Sequence, residues 1–454
     1  MSRGKGLFML RKLLVSWAAA STVFLVAGMT SALASASAPA AAGAATSAGT
    51  GPITDVSHAC KGQNAEVEQA TWHRHVFEAW MGCHNSIGFV RSADGGHTWT
   101  APVVMAGSSG AWDPAVAVSP EGILYVSFMN SNNTNSYPVV ETSLNFGLSF
   151  LRPSVVRPPD QNNWGDRDFI AAGPHGVLYL TWDYGPSAAL VTDICSAGGS
   201  CAFATGDLNV VFQKSTDYGR TWGPMVHVSP GFPASGGDSA PMVVEPNGRI
   251  DMSYQGYNID NLKTYSMTPA YTYFTSSADG GQTWSQPVQV GASAGTMSLA
   301  EWWIDGAIGS DTAGNLYVTW DTQAVSDDIG WLSFSTDHGR TWSAPVRVTP
   351  DNDNATHIVE AAGGAPGVAY VGWLADNSPH GYAQYLRAFS VTRGWLSGPR
   401  LVSRQYGNAS VWPGDTFGIS TLAGGPSALM LSWGGAVGGS PNSEIFAAPV
   451  TVSG

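Results

Sequence analysis

A chain of 454 residues is long enough for two or three average domains or one large repeat domain. Its formal net charge of −13 makes it a poor candidate for binding nucleic acid or anionic lipid. Only 12% of the residues are charged, whereas the chain contains 55 glycines and 18 tryptophans. Short β-branched runs separated by Gly, Pro, Asn and Asp indicate an all-β protein.

The N-terminal region has the pattern of a secretory signal peptide. Residues 1–34 combine a basic start, an apolar run and an A-x-A cleavage pattern at 32–34. A membrane anchor is less favoured because the apolar run is short. Cleavage would remove four basic residues and no acid, and so change the formal net charge from −13 to −17.

Residues 35–51 are almost only small residues and proline, which predicts a disordered linker. We therefore expect a secreted protein, extracellular or held in the cell envelope, without a membrane span after cleavage.

All four cysteines lie in the part that would be exported, where disulfides are favoured. We predict one disulfide between Cys60 and Cys83, which would tie the N-terminal segment to the first repeat. A second between Cys195 and Cys201 would close a tight loop, although four cysteines allow three pairings. No cysteine or histidine spacing typical of a zinc site is present.

A sequence motif of eight residues, S-x-D-x-G-x-T-W, is repeated along the chain. Its aspartate can accept backbone N–H groups in a tight turn, its glycine can adopt a positive φ, and its tryptophan can pack on a neighbouring element. These features predict a hairpin turn between two strands. Full copies stand at 92–99, 215–222, 277–284 and 335–342, and weaker ones at 143–150 (SLNFGLSF) and 390–395 (SVTRGW).

A second pattern, of two strands joined by a Gly-rich turn, precedes these copies and occurs seven times. Four strands per unit predict a seven-bladed β-propeller of antiparallel blades over residues 52–454, with six blades as the competing count. The last unit lacks an outer strand. We expect the segment near PITDV, at 52–56, to supply it and close the ring.

Ligand sites in such a ring form at the channel end opposite the repeated turns, where strand A of each blade begins. Carboxylates and tryptophans recur there, and both suit carbohydrate, since paired acids can cleave a glycosidic bond. We predict Asp113, Asp166 and Asp168 as catalytic residues. The predicted substrate-binding residues are Trp164, Arg167, Tyr184, Asp238, Tyr254, Glu301, Trp302, Trp303 and Asp305.

Two other interpretations of these acids remain open. They can cap strand starts without any catalytic role, or their ring of oxygens can hold Ca²⁺. No other metal and no cofactor is predicted.

The repeated motif is similar to the Asp-box, or bacterial neuraminidase repeat (BNR). Over residues 66–454 the chain resembles the sialidase superfamily of secreted glycoside hydrolases. The resemblance implies an arginine trio, an Asp acid/base and a Tyr–Glu nucleophile pair. Only Arg167 falls at a suitable position, because Arg74 would lie on the wrong face and Arg387 on an outer strand. The family's F-R-I-P motif is also absent, and sialidases usually have six blades.

We therefore expect a monomeric, secreted, sialidase-like glycoside hydrolase that acts on a glycan or polysaccharide. A seven-bladed Asp-box propeller also resembles other glycan-active enzymes and non-catalytic assembly factors, so the fold does not decide the function. The alternatives are a non-catalytic propeller that binds a glycan or a protein, and a polysaccharide lyase in which His357 or His380, with a loop tyrosine, serves as the base.

Overall fold

A computed structural model shows a seven-bladed β-propeller, which confirms the expected fold and excludes the six-blade alternative. Among the described residues there is no helix that could cross a lipid bilayer. The structure describes residues 49–132, 135–158, 163–186, 193–195, 201–203, 209–228, 235–238, 241–257, 259–261, 266–267, 271–290, 307–322, 329–350, 356–376, 382–403, 411–422 and 427–452.

The chain enters through two short strands and then forms blades 1 and 2, each an antiparallel sheet whose first strand, strand A, lines the channel. The entry strands are β1 (Gly49–Thr50) and β2 (Thr54–Asp55). Blade 1 contains β3 (Ala65–Trp72), β4 (His75–Cys83), β5 (Ser86–Ser92) and β6 (Val103–Val104). Blade 2 contains β7 (Trp112–Val118), β8 (Leu124–Ser131), β9 (Ser136–Ser143) and β10 (Ser154–Val155).

Blades 3 and 4 each carry an additional small hairpin. Blade 3 contains β11 (Asn163–Ala172), β12 (Leu178–Pro186), β15 (Asn209–Ser215) and β16 (Val226–His227), with the hairpin β13 (Asp193–Cys195) and β14 (Cys201–Phe203). In blade 4, strand A is split into β17 (Ser235–Asp238) and β18 (Met242–Val244). The blade continues with β19 (Ile250–Tyr257), the hairpin β20 (Ile259–Asn261) and β21 (Ser266–Met267), then β22 (Tyr271–Ser277) and β23 (Val288–Gln289).

The last three blades complete the ring. Blade 5 contains β24 (Ala307–Ser310), β25 (Leu316–Thr322), β26 (Ile329–Ser335) and β27 (Val346–Arg347). Blade 6 contains β28 (Thr356–Gly363), β29 (Val368–Asp376), β30 (Tyr382–Ser390), β31 (Gly394–Trp395) and β32 (Arg400–Leu401). Blade 7 contains β33 (Gly418–Thr421), β34 (Ala428–Gly435) and β35 (Glu444–Thr451).

The N-terminal segment closes the ring, as the sequence predicts. Strand β2 pairs with β35, where Thr54 lies opposite Ala447. Strand β1 also pairs with β35, so the last residues of the segment expected to be a linker belong to blade 7. The predicted disulfide between Cys60 and Cys83 is present and ties this segment to β4. Cys195 lies directly opposite Cys201 in the small hairpin, a backbone placement that suits the second predicted disulfide.

The hydrophobic core is divided among the blade junctions. Seven clusters of buried apolar side chains each lie between two neighbouring blades. One cluster joins Phe77 to Val126, between blades 1 and 2, and another joins Trp80 to Met430, between blades 1 and 7. Because successive residues of a strand point to opposite faces, each blade packs on both neighbours. The core therefore fixes the angle between blades and the position of every strand start.

The S-x-D-x-G-x-T-W segment, hereafter the repeat turn, has the expected hydrogen bonds. In blade 4 the carboxylate of Asp279 accepts the hydroxyl of Thr283 at 2.6 Å, its backbone N–H at 2.9 Å, and the hydroxyl of Ser277 at 2.8 Å. These bonds lower the pKa of Asp279 to about 2, the hydroxyl of Thr283 most strongly. The weaker copy in blade 2 keeps the geometry, with Asn145 Oδ1 accepting the N–H of Ser149 at 3.0 Å.

Candidate functional site

The channel mouth, defined as the channel end at which strand A of each blade begins, contains three residues in an unusual backbone conformation. Strand A of blades 1, 2 and 3 opens with a β-bulge, seen as a shift in the pairing with strand B. Non-glycine residues at positive φ are rare and cluster at functional sites. The bulged residues are Glu66 (φ 53°), Asp113 (φ 45°) and Arg167 (φ 52°).

An ion pair joins two blades that are not neighbours. Nη2 of Arg167, in blade 3, lies 2.6 Å from Oδ2 of Asp415, which precedes strand A of blade 7. The arginine side chain is 3% exposed and the aspartate side chain 14%. Arg167, predicted to bind substrate, therefore makes its short ionic contact with the protein itself.

Asp113 and Asp166 form a second set of contacts at the same place, between blades 2 and 3. The backbone N–H of Arg167 donates to Oδ2 of Asp113 at 3.2 Å. The indole N–H of Trp112 donates to Oδ1 of Asp166 at 2.5 Å. A donor favours the ionised form of the carboxylate that accepts it, so Trp112 stabilises negative charge on Asp166.

Asp168 is buried directly behind these two acids. The residue is 3% exposed, and neither carboxyl oxygen makes a well-formed hydrogen bond. Burial raises the pKa of Asp168 well above its ordinary value; the nearby hydroxyl of Ser127 offsets part of this, and the charges of Asp113 and Asp166 add to it. The protonated form of Asp168 is therefore favoured beside two other carboxyl groups.

Arg157 also belongs to this region, although no sequence motif indicates it. Its guanidinium carbon lies 5.2 Å from the ring centre of Tyr184, one of the predicted substrate-binding residues. Tyr184 is only partly buried, so this tyrosine and arginine offer an aromatic and cationic surface beside the acids. Asp183 lies opposite Asp166 across the strand pair, which concentrates negative charge at the mouth.

The remaining predicted site residues fall into three groups. Tyr254 is 1% exposed and stacks on Tyr273 in the core between blades 3 and 4, so its side chain does not face the mouth. Trp164 and Asp238 are placed through their backbones, in β11 and β17. Glu301, Trp302, Trp303 and Asp305 lie outside the described residues.

The two arginines set aside in the sequence analysis make structural contacts. Arg74 donates to the backbone oxygen of Asp94 at a repeat turn, and Arg387 packs on Trp395 at 4.0 Å from its ring centre. No group of three or more metal-ligating side chains is found in the part of the chain that the structure describes. The mouth therefore combines the buried Asp168, whose protonated form is favoured, with the nearly buried Asp113, the partly exposed Asp166 and a nearby aromatic surface.

Comparison with known proteins gives the fold only. No family model and no curated protein matches the chain. Among solved structures, an ulvan lyase from a new polysaccharide lyase family matches with TM-score 0.55 and 11% identity over 87% of this chain and 95% of that one. A Penicillium chrysogenum α-L-arabinanase complexed with arabinobiose matches with TM-score 0.51 and 13% identity over 85% and 93%. A Dyadobacter fermentans protein of unknown function matches with TM-score 0.51 and 15% identity over 75% and 94%.

Proposed function

We propose that the protein is a secreted glycoside hydrolase that cleaves an extracellular glycan at the channel mouth. The observation that carries this proposal is the buried Asp168, whose pKa burial raises, beside Asp113 and Asp166. Hydrolysis of a glycosidic bond needs one carboxyl group that donates a proton to the leaving oxygen, and one ionised carboxylate that acts as base or nucleophile. Carboxyl groups whose environments push their pKa values apart are suited to those two roles.

The contacts support a division of roles. Asp166 takes the ionised role, because the indole N–H of Trp112 stabilises its negative charge. Burial favours the protonated form of Asp168, and the charge of Asp113 adds to this effect. Asp113, 9% exposed, is more accessible than Asp168, so we assign to it the donation of the proton to the leaving oxygen. Tyr184 would stack on the sugar.

The proposal is tested by a product assay. The protein is incubated with sialosides, arabinans and ulvan, while new reducing ends and ultraviolet-absorbing products are followed together. We expect reducing ends that disappear in Asp166→Asn and in Asp168→Asn. Asp279→Asn, which changes a carboxylate of a repeat turn, should retain activity. No reducing ends on any glycan would contradict the proposal.

A polysaccharide lyase is the second candidate, and one observation favours it. The pairing of strand A in blade 6 shifts at His357, so this histidine occupies a bulge at the channel mouth like Asp113 and Arg167. A histidine there could remove the proton next to a uronate carboxyl group. Ultraviolet-absorbing unsaturated products that disappear in His357→Ala would establish the lyase instead.

A non-catalytic binding propeller is favoured by the short ion pair that Arg167 makes with Asp415. In that case the panel would give no products, although a glycan or a protein would still bind. The disulfide between Cys60 and Cys83 supports an extracellular location for all three candidates.

A further inference from the structure

A cavity of about 340 Å³ lies on the outer rim of the ring, between blades 1 and 2 and away from the channel mouth. Its volume is within the range of small-ligand pockets. Apart from Glu141 and Arg152, its lining is apolar or backbone. The lining residues are Val103, Val104, Met105, Ala106, Glu141, Phe150, Leu151, Arg152 and Pro153.

Glu141 is a buried acid that lines this cavity. The residue is 2% exposed, and its Oε1 has no hydrogen-bond partner within the protein. Burial raises the pKa of Glu141 to about 7, and the backbone N–H of Ala106 offsets a part of this effect. Arg152, exposed at the rim, is the other charged side chain that lines the cavity. A buried carboxyl oxygen without a partner is costly unless a ligand supplies one.

Comparison with blades 3, 4 and 5 shows that Glu141 departs from the structural pattern of these repeats. Two residues before the first Ser of the repeat turn, blades 3, 4 and 5 carry Gln213, Thr275 and Ser333. Each of these donates a hydrogen bond to the carbonyl oxygen that follows the repeat-turn tryptophan, at 2.6 to 2.8 Å. Glu141 holds the same position in blade 2, and an ionised carboxylate cannot donate. The structural role that this position has in blades 3, 4 and 5 therefore does not explain Glu141.

The surface around the cavity is also unusual. Of the large apolar side chains exposed among the described residues, six belong to the outer parts of blades 1 and 2. They are Val103, Val104, Leu144, Leu148, Leu151 and Val155. Leu148, 66% exposed, stands where the full repeat turns carry His97, Arg220, Gln282 and Arg340. Three of them, Val103, Val104 and Leu151, line the cavity itself, and exposed apolar surface of this kind is typical of an interaction site.

We propose that this cavity receives a lysine side chain of a partner polypeptide, with its alkyl chain against the apolar lining and its ammonium group on Glu141. A lysine stem packs well on apolar surface while its charge seeks a carboxylate. The excess of acidic over basic residues in the chain also favours a basic partner. This binding is independent of the proposed hydrolase activity, because the cavity lies away from the channel mouth.

The test compares two peptides, acetyl-Leu-Lys-Leu-amide and the same peptide with norleucine in place of lysine, by calorimetric titration. At pH 8 Glu141 is ionised, and we expect the lysine peptide to bind roughly tenfold more tightly or better. At pH 5.5 the carboxyl group is protonated, and the preference should disappear. Glu141→Gln should abolish the preference at pH 8 and still fold, because blade 3 carries Gln213 at the same position.

Leu148→Gln is the matched control, since it changes the exposed apolar surface without changing the cavity lining. It should keep the preference for lysine. Equal affinities for the two peptides, a preference that survives Glu141→Gln, or no binding of either peptide at millimolar concentration would each overturn the proposal.

Discussion

Arg167 and Asp415 are 248 residues apart and lie in blades 3 and 7, yet Nη2 of the arginine is 2.6 Å from Oδ2 of the aspartate. The pair bridges two blades that are not neighbours, and it lies beside the acids of the proposed site. Its geometry therefore links the stability of the ring to the arrangement of the channel mouth.

We predict that Asp415→Asn lowers the free energy of unfolding by about 3 kcal/mol, because the substitution leaves a buried guanidinium opposite a neutral partner. Chemical denaturation of both proteins measures the change. Glu121→Gln is the control. Oε1 of Glu121 lies 3.6 Å from Nδ1 of the exposed His175, so this pair should contribute almost nothing to the free energy of unfolding. Equal losses in the two variants would contradict the prediction.

The repeat turn also has a packing role between blades. The ring of Phe274, in blade 4, lies so close to Gly339 of blade 5 that a Cβ on the glycine would come within 2.1 Å of it. The same ring packs edge to face on Trp342, with 5.1 Å between ring centres. A small residue at positive φ is therefore required both by the turn and by the neighbouring blade.

We predict that Gly339→Ala destabilises the protein by about 3 kcal/mol, from the positive φ together with the contact with Phe274. Gly248→Ala separates the two causes, because Gly248 has φ +87° and no atom within 4 Å of a Cβ. That variant should lose only about 1 kcal/mol. Thermal unfolding of the two variants provides the comparison, and similar losses would show that packing contributes little.

The fold could be predicted from local patterns because each blade repeats the same turn chemistry. Asp279, Thr283 and Gly281 act within a single turn, so their roles are visible in the sequence. The closure of the ring by the strand that contains Thr54 was also predictable, since the last repeat unit lacked an outer strand. The disulfide between Cys60 and Cys83 was predictable because one cysteine lies in the N-terminal segment and the other in the first repeat.

The candidate site was predictable only in part, because its decisive contacts depend on ring closure and on small shifts of register. The bulge that turns Asp113 and Arg167 to positive φ leaves no clear sequence signal. Tyr254 was predicted to face the mouth, but it lies within β19 and its side chain points to the core. A change of one residue in a strand reverses the side to which a side chain points.

A third prediction concerns buried acids on the face of the repeat turns. Burial raises the pKa of Asp251 to about 7, and its hydrogen bond with Glu245 adds to this, whereas Arg249 opposes it. Glu245 is also 2.8 Å from Nδ1 of His338, a residue of the repeat turn in blade 5. The folded protein therefore keeps a proton on Asp251 that the unfolded chain loses near pH 4.

Because the folded state binds the additional proton, the contribution of Asp251 to stability decreases as pH rises from about 4 to about 7. Asp251→Asn should remove this contribution. Relative to the parent protein, the variant should therefore gain stability between pH 5 and pH 8, by at most about 3 kcal/mol. Denaturation at both pH values measures the difference, and two parallel stability curves would refute the prediction.

The repeat-turn aspartates should have the opposite pH dependence. The pKa of Asp279 is lowered to about 2, chiefly by the hydroxyl of Thr283, so its contribution to stability is present above about pH 4 and is lost towards pH 2. Asp279→Asn should fold, since Asn145 holds the same turn in blade 2. We expect the variant to be less stable than the parent protein at pH 7 and equally stable near pH 2. A stability difference that persists unchanged at pH 2 would contradict this assignment.

The last prediction connects the site to activity through the hydrogen bond between Trp112 and Asp166. Trp112→Phe keeps an aromatic ring and removes the N–H that donates to Oδ1 of Asp166 at 2.5 Å. A hydrogen bond to a charged group contributes about 2 kcal/mol, so glycan cleavage should fall by roughly tenfold or more. Trp99→Phe is the control, because Trp99 donates to the carbonyl oxygen of Gly96 in a repeat turn. That variant should lose stability but retain the rate per folded molecule. If both variants cleaved glycans at the parent rate, Asp166 would not have the ionised role in the reaction.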